Sequence, residues 1–287
     1  METKSQVWYV TGATEGLGLD LVKQLLAAGY KVAATGRNAE DLEAAVGHWY
    51  PNFLPLEVNL SNEDSVSTSL KATATRFGKI DVVVNNTDSP ISEDSGQMSD
   101  KEARATFEIN VFGMMNVIRN AMPNLRKNLS GHFFNVSSSG EFNGTYPGFS
   151  IYCAARFAVA GLSESLAAEA RPFNIGVTVV LPGQFHTGNL NAVTESKPSS
   201  GHMLNAQTQV EHKQELYPDG AAIKQQVDPK KAAALMISIA AKSQPPLYLF
   251  LGKRAFEDAA EKINLVQKDM CAWKSEALST DAKAELE

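Results

Sequence analysis

Thr11-Gly12-Ala13-Thr14-Glu15-Gly16-Leu17-Gly18 is the stretch that decides the fold. It follows Val7–Val10, an apolar run that reads as a buried strand. It opens into Leu17–Ala28, where the apolar spacing is helical and stops at Gly29, a helix-ending residue. Glycines between a strand and a helix permit a tight turn, close backbone approach to a pyrophosphate and close packing of helix on strand. The helix N-terminus adds free N–H groups and a partial positive charge.

Working outward, short apolar runs alternate with amphipathic stretches. Lys31–Thr35, Phe53–Val58, Val82–Asn85, His132–Ser137, Val177–Leu181 and Leu247–Leu251 read as further strands. Helices are expected over Ala39–Val46, from a cap at Ser61 or Asn62 to Phe77, over Asp100–Met122 with a bend or break at Pro123, over Ser150–Arg171, and over Asp228–Ala241. Strands separated by helices of this length imply right-handed crossovers and a parallel sheet, and the continuous apolar strands imply helices on both faces. The fold class is therefore α/β: one doubly wound, Rossmann-type domain with a central parallel sheet of about seven strands. This domain is expected over 1–252, with the polar, weakly patterned segment 184–226 as a substrate loop or lid. A helical C-terminal extension is expected over 253–287.

Bulk properties exclude several classes. The 287 residues carry a formal charge of −6 and no basic run, which argues against nucleic acid as a partner. No apolar run reaches the roughly 18 residues of a membrane span, and the first residues lack the apolar core of a signal peptide. The two cysteines, Cys153 and Cys271, do not make a disulfide framework, so a reducing, cytoplasmic setting is expected. The five histidines show no metal-ligand spacing, and no metal is expected.

The second strand ends Thr35-Gly36-Arg37. An NAD site would place a carboxylate there for the ribose 2′-hydroxyl, and none is present. Arg37 can instead meet a 2′-phosphate, so NADP(H) is favoured over NAD(H). Glu15 pulls the other way by bringing negative charge to the same region. Further on, Tyr152-Cys153-Ala154-Ala155-Arg156 sets a phenol and a permanent cation four positions apart, one turn apart on a helix. A cation beside a tyrosine favours the phenolate, an arrangement suited to proton transfer at a hydroxyl or carbonyl.

With both features in view, the chain resembles the short-chain dehydrogenase/reductase family, motif by motif over roughly Gln6 to Thr187 and by its helix-plus-strand ending to Gly252. The family's glycine motif falls on Thr11, Gly12, Gly16 and Gly18, with Thr14, Glu15 and Leu17 inside it. The two asparagines of its Asn-Asn-Ala-Gly motif fall on Asn85 and Asn86, its catalytic asparagine on Asn110, and its Tyr-x-x-x-Lys on Tyr152 and Arg156. Its Pro-Gly followed by threonine falls on Pro182, Gly183 and Thr187. Counting forward from the fifth strand places its serine at Ser138, and counting back from Tyr152 places it at Ser139; Ser138 is taken, because loops absorb insertions.

The resemblance implies roles. Tyr152 exchanges a proton with the substrate oxygen, Ser138 holds that oxygen, Asn110 supports a relay water, and Arg156 acts as the cation. Thr11, Gly12, Thr14, Glu15, Gly16, Leu17, Gly18, Arg37, Asn59, Leu60, Asn86, Pro182, Gly183 and Thr187 bind the cofactor. It also implies hydride transfer between NADP(H) and a small or lipophilic substrate, interconverting a carbonyl and a secondary alcohol, in a homodimer or homotetramer.

Three departures fall on the cofactor side. Arg156 replaces lysine, and a planar fork is not a compact point charge. Asp88 replaces a glycine; a carboxylate about 4 Å from a phosphate would cost on the order of 4 kcal/mol at an effective dielectric of 20. Asn59 replaces an aspartate, a mild change. These departures leave two other readings open. One is a non-catalytic, nucleotide-sensing relative. The other is halohydrin dehalogenase-like chemistry using Ser138, Tyr152 and Arg156, although such relatives have lost the glycine turn that this chain keeps.

Overall fold

The computed structural model describes residues 6–86, 99–138, 142, 144, 150–183 and 227–281. Asp88, Ser139, Thr187 and the segment 184–226 lie outside the described residues.

Seven strands form one parallel sheet in the order β3-β2-β1-β4-β5-β6-β7. They are β1 (Val7–Val10), β2 (Lys31–Gly36), β3 (Phe53–Glu57), β4 (Val82–Asn85), β5 (Gly131–Val136), β6 (Ile175–Pro182) and β7 (Tyr248–Leu251). Side chains alternate across the sheet, so each strand feeds two cores. Val7 and Tyr9 point into one core with Phe133 and Val177; Trp8 and Val10 point into the other with Phe134 and Val180. All eight are buried, which explains the unbroken apolar strands.

The second of these cores is covered by α1 (Gly16–Ala27), α2 (Ala39–Val46) and α7 (Pro229–Ala240). The first is covered by α3 (Glu63–Phe77), α5 (Met114–Asn128) and α6 (Ser150–Ala170). Capping follows the residue types. The side chains of Asn38, Asn62 and Asp228 accept backbone N–H groups at the starts of α2, α3 and α7. Gly47 and Gly78 end α2 and α3 in the left-handed conformation that glycine adopts freely. Across the layer, Arg119 on α5 donates to the Glu63 carboxylate at 2.7 Å, tying α5 to the first turn of α3.

One expected helix differs from its reading. Instead of running unbroken to Met122, it forms α4 (Asp100–Phe107), a π-helical turn (Glu108–Gly113) and α5. Pro123 does not end it, and α5 continues to Asn128. The proline removes one backbone donor, but it faces solvent, where water can serve the freed carbonyl of Arg119. The buried stripe of Val117, Ile118, Ala121 and Leu125 holds the helix together past it. Leaving aside shifts of one or two residues at the ends of strands and helices, the other elements fall where they were expected. The C-terminal extension begins as α8 (Lys253–Ala272) and goes on into a short α9 (Lys274–Leu278).

His132 on β5 is buried in this framework, stacked on Phe134 with ring centroids 4.0 Å apart. The Thr178 hydroxyl donates to Pro246 O at 2.6 Å. Its oxygen therefore accepts from His132 Nε2 at 2.9 Å, which fixes the neutral tautomer with the proton on Nε2. Burial lowers the His132 pKa to about 4. The unfolded chain takes up that proton near pH 6.5 and the folded chain only near pH 4, so stability is lost as pH falls through this window. The loss amounts to up to about 3 kcal/mol. In urea unfolding at pH 7 and pH 5, His132→Gln is expected to narrow the stability gap to the wild type at the lower pH. A gap equal at both pH values would show that His132 does not titrate on unfolding.

Candidate active site

The sheet order reverses beside β1: the chain runs out through β2 and β3, then returns on the other side as β4. The crevice beyond the carboxyl ends of β1 and β4 is where open α/β sheets bind ligands. The glycine turn leaves β1 there. Thr11 N–H donates to Val84 O at 2.9 Å, and the Thr11 hydroxyl reaches the same carbonyl at 3.3 Å. Asn86 grips the turn from the β4 side. Its backbone N–H donates to Thr11 Oγ1 at 3.0 Å and its side-chain amide to Gly12 O at 2.9 Å.

Gly12 (φ 62°) and Gly16 (φ 56°) take the left-handed conformation. Gly18 is constrained differently: a Cβ there would lie 2.4 Å from Gly12 O and 2.6 Å from Asn86 Nδ2. The turn therefore presses against α1 with no room for a methyl group. Among the described residues no side-chain cap closes the N-terminus of α1. A tight glycine turn running into a helix N-terminus fits the pyrophosphate of a dinucleotide. Arg37 is exposed directly after β2, and Glu15 is exposed at the start of α1. Asn59 Oδ1 accepts Ser61 N–H at 3.1 Å, and Leu60 O accepts the Asn116 amide at 2.9 Å, so this loop is tied to α5.

On the other side of the crevice stands α6. Of its buried positions, Cys153, Arg156, Val159, Ser163, Leu166 and Ala170 recur every three or four residues, with Ala155 buried beside them, so Arg156 lies on the core face. Its side chain is almost wholly buried. Nη1 donates to Val136 O, the last carbonyl of β5, at 3.0 Å. Nη2 donates to the Tyr152 hydroxyl at 3.3 Å, and Arg156 Cζ lies 5.1 Å from the Tyr152 ring centroid. The expected one-face pairing of phenol and cation is thus present as a direct contact.

Asn110 is buried on the π-helical turn, whose extra residue per turn changes which way its side chains face. With Thr11, Leu60, Asn85, Ile109, Met114, Val136 and Arg156 it borders a cavity of about 10 Å³. Asn85 also heads a buried chain. Its amide donates to Asn135 Oδ1 at 2.8 Å, Asn135 donates to Ser163 Oγ at 2.8 Å, and Ser163 donates to Val159 O at 2.7 Å.

The structure thus brings Thr11, Asn110 and Arg156 around one cavity, with Tyr152 on Arg156. Ser137 is buried with its N–H on Val180 O, and Ser138 follows it, half-buried at the end of the described loop. Pro182 ends β6, and Gly183 N–H donates to Leu251 O. Phe142 packs on the outer strand, 5.9 Å from Tyr248 and 5.4 Å from Phe250 between ring centroids. Sequence reasoning missed the Val136 carbonyl and Ser163. The backbone acceptor leaves no trace in a sequence. Ser163 stands two turns after Arg156 on the same face, and that spacing could have marked it. Among the described residues no group of three or more His, Cys, Asp or Glu could hold a metal, and no helix is long and apolar enough to cross a membrane.

The family profile described as short chain dehydrogenase matches residues 6–198, and the chain belongs to that family. It is 29% identical over 281 residues to oxidoreductase BOA17 of Botryotinia fuckeliana, covering 96% of this chain and 99% of that protein. It is 29% identical over 253 residues to the 3-ketodihydrosphingosine reductase of Bacteroides thetaiotaomicron, covering 86% and 88% of the two chains. A short-chain dehydrogenase of Streptomyces avermitilis, of known structure, superposes with a TM-score of 0.82 at 28% identity, covering 96% of this chain and 98% of that one. The chain is an oxidoreductase of the short-chain dehydrogenase type; the dehalogenase-like and non-catalytic readings are not favoured.

Gly18→Ala is expected to lower the unfolding free energy by about 1–3 kcal/mol, because the methyl group meets a backbone carbonyl that cannot step aside. A urea melt checks this, and an unchanged midpoint would show that the turn has slack.

Proposed function

We propose that the chain interconverts a carbonyl and a secondary alcohol on a small or lipophilic substrate with NADP(H), and that Tyr152 is its acid/base. The observation that carries this reading is the buried Arg156 guanidinium donating to the Tyr152 oxygen at 3.3 Å. A guanidinium has donors only, so in that contact the phenol oxygen accepts. The phenol's own hydrogen is then the one it would exchange with a substrate oxygen. When that proton leaves, the charge of Arg156 stabilises the phenolate that remains.

A dinucleotide held by this turn would supply the hydride. The protein's part is to hold and orient. Thr11, Gly12, Gly16, Gly18 and Asn86 shape the phosphate turn, with Thr14, Glu15 and Leu17 within it. Asn59 and Leu60 flank the adenosine side, and Pro182, Gly183 and Thr187 close the nicotinamide side. Ser138 holds the substrate oxygen in hydrogen-bonding reach of Tyr152. Asn110 and Asn85 make a polar edge on the small cavity beside Arg156, which suits one water. The catalytic domain spans 1–252, with 184–226 as the substrate loop. A keto group as substrate is supported by the relative named for reducing one.

NADP(H) is preferred in this reading because Arg37 stands exposed after β2, where no carboxylate occupies the strand end. A charge-assisted hydrogen bond to phosphate contributes about 1.5–3 kcal/mol. Arg37→Ala should therefore weaken NADPH binding by roughly 10- to 100-fold while leaving NADH within about threefold. Calorimetric titration of both nucleotides measures this; equal losses would remove Arg37 from the 2′-phosphate. Absence of binding of either nucleotide at millimolar concentration would end the proposal.

Tyr152→Phe should abolish turnover of any carbonyl that a substrate panel identifies, at least about 1,000-fold in kcat, with NADPH affinity unchanged within about threefold. Retained turnover would take the acid/base role away from Tyr152.

A further inference from the structure

The Asn85 side chain is buried, at 5% exposure. Its amide nitrogen donates to Asn135 Oδ1 at 2.8 Å, whereas no donor among the described residues reaches its Oδ1. Which way the amide points is fixed from the far end of the hydrogen-bonded chain. The Ser163 hydroxyl has a single hydrogen and gives it to Val159 O at 2.7 Å, so its oxygen accepts from Asn135 Nδ2 at 2.8 Å. Asn135 therefore turns Oδ1 toward Asn85, and Asn85 must meet it with Nδ2. Exchanging the two ends of the Asn85 amide would set oxygen against oxygen. The orphaned acceptor is thus built into the fold, and native proteins rarely keep a buried acceptor without a donor.

Asn85 also borders the cavity of about 10 Å³, with Arg156 and Asn110 beside it and Leu60, Ile109 and Met114 as an apolar wall. That is room for about one water. The groups around the space define its occupant. Asn85 Oδ1 demands a hydrogen. The Arg156 guanidinium has N–H groups and no acceptor, so it demands a lone pair. A cation here would be repelled by Arg156, and an anion by the Asn85 oxygen. One water satisfies both demands.

We infer that a single buried water binds here, donating to Asn85 Oδ1 and accepting from the Arg156 guanidinium, and that Asn85 is thereby a positioning residue for Arg156. The guanidinium is then held at three points: by Val136 O at 3.0 Å, by the Tyr152 oxygen at 3.3 Å, and by the water. A third contact limits rocking of the planar group about the line through the first two. For the proposed reaction, on which only this consequence rests, the charge faces the phenol in one orientation. The water is not a proton relay. Tyr152 does not border the cavity, and the guanidinium that touches both keeps its protons wherever the protein is folded.

The test needs no substrate, so its outcome is separate from that of the proposed activity. A crystal structure of the full chain, resolved finely enough to show ordered water, is expected to place one water within hydrogen-bonding distance of both Asn85 Oδ1 and an Arg156 nitrogen. Arginine side-chain NMR then reads the hold on Arg156, whose signal is assigned by its loss in Arg156→Lys. Asn85→Leu keeps the shape and removes the acceptor; rotation of Arg156 about its Nε–Cζ bond should become about tenfold faster, because a hydrogen bond to a charged group is lost. Asn85→Asp keeps an acceptor and should rotate no faster than the wild type. Should circular dichroism show Asn85→Leu unfolded, Met114→Phe takes its place: it fills the cavity from the apolar wall, leaves the bond between Asn85 and Asn135 intact, and should lose the water with the same rise in rate. The absence of a water at this position, or a protein donor seated on Asn85 Oδ1, overturns the inference. So does a rotation rate that removing the acceptor or the water leaves unchanged.

Discussion

The tie between Thr11 and Asn86 sets the geometry of the crevice. A parallel sheet covered on both faces opens to solvent only at its ends, and at the carboxyl end the strands must release the chain without stranding polar groups. Thr11 N–H closes β1 onto β4 through Val84 O, and Asn86 returns two hydrogen bonds to Thr11 and Gly12. The turn is thereby fixed from both sides. Gly18 has no space for a methyl group because the helix it opens is pulled against that fixed turn. The position of the N-terminus of α1 thus follows from hydrogen bonds made at the sheet's midline.

The second half of the site hangs from the same midline. Burying a guanidinium removes it from water, and breaking its contacts would leave an uncompensated charge inside the protein. Arg156 meets the end of β5 through Val136 O, and α6 meets the residue before it through Ser163 and Asn135. Asn135 in turn accepts from Asn85 on β4, so the chain of amides runs from the strand under the glycine turn to the helix that carries Tyr152. A planar fork suits this position: one nitrogen is held by the strand while another reaches the phenol, a division of contacts that a single ammonium makes less readily.

Most of the framework was legible because local chemistry and global fold agree. Asn38 and Gly47 bracket α2, and Ala39–Val46 came out to the residue; Val82–Asn85 did so because a four-residue apolar run between polar neighbours has one reading. The α4–α5 region failed for a physical reason. A π-helical turn keeps the buried faces of the helices on either side, so the apolar spacing gives no sign of it. Pro123 gave a false sign, since a proline on the solvent face removes a donor whose loss water can offset. In the site, Tyr152 and Arg156 were legible because residues four apart on a helix are neighbours. The Asn85–Asn135–Ser163 chain was not. Its members lie 50 and 28 positions apart, and only folding brings them together.

Arginine at position 156 also restricts what the site can do. Lysine can share or lose a proton, whereas a guanidinium keeps its charge throughout the range in which proteins stay folded. Arg156 is therefore a fixed charge and a fixed set of donors. In the reading proposed above, polarising Tyr152 and resupplying its proton become separate duties, the first assigned to Arg156 and the second to groups outside it. The cavity bordered by Asn85 and Asn110 touches Arg156 but lies on the glycine-turn side, lined by Thr11 and Val136. A water there would solvate the guanidinium and hold its orientation. In that same reading the sheet, by holding Arg156 through Val136 O, sets the charge beside the phenol, while proton traffic depends on what stands on the substrate side of Tyr152.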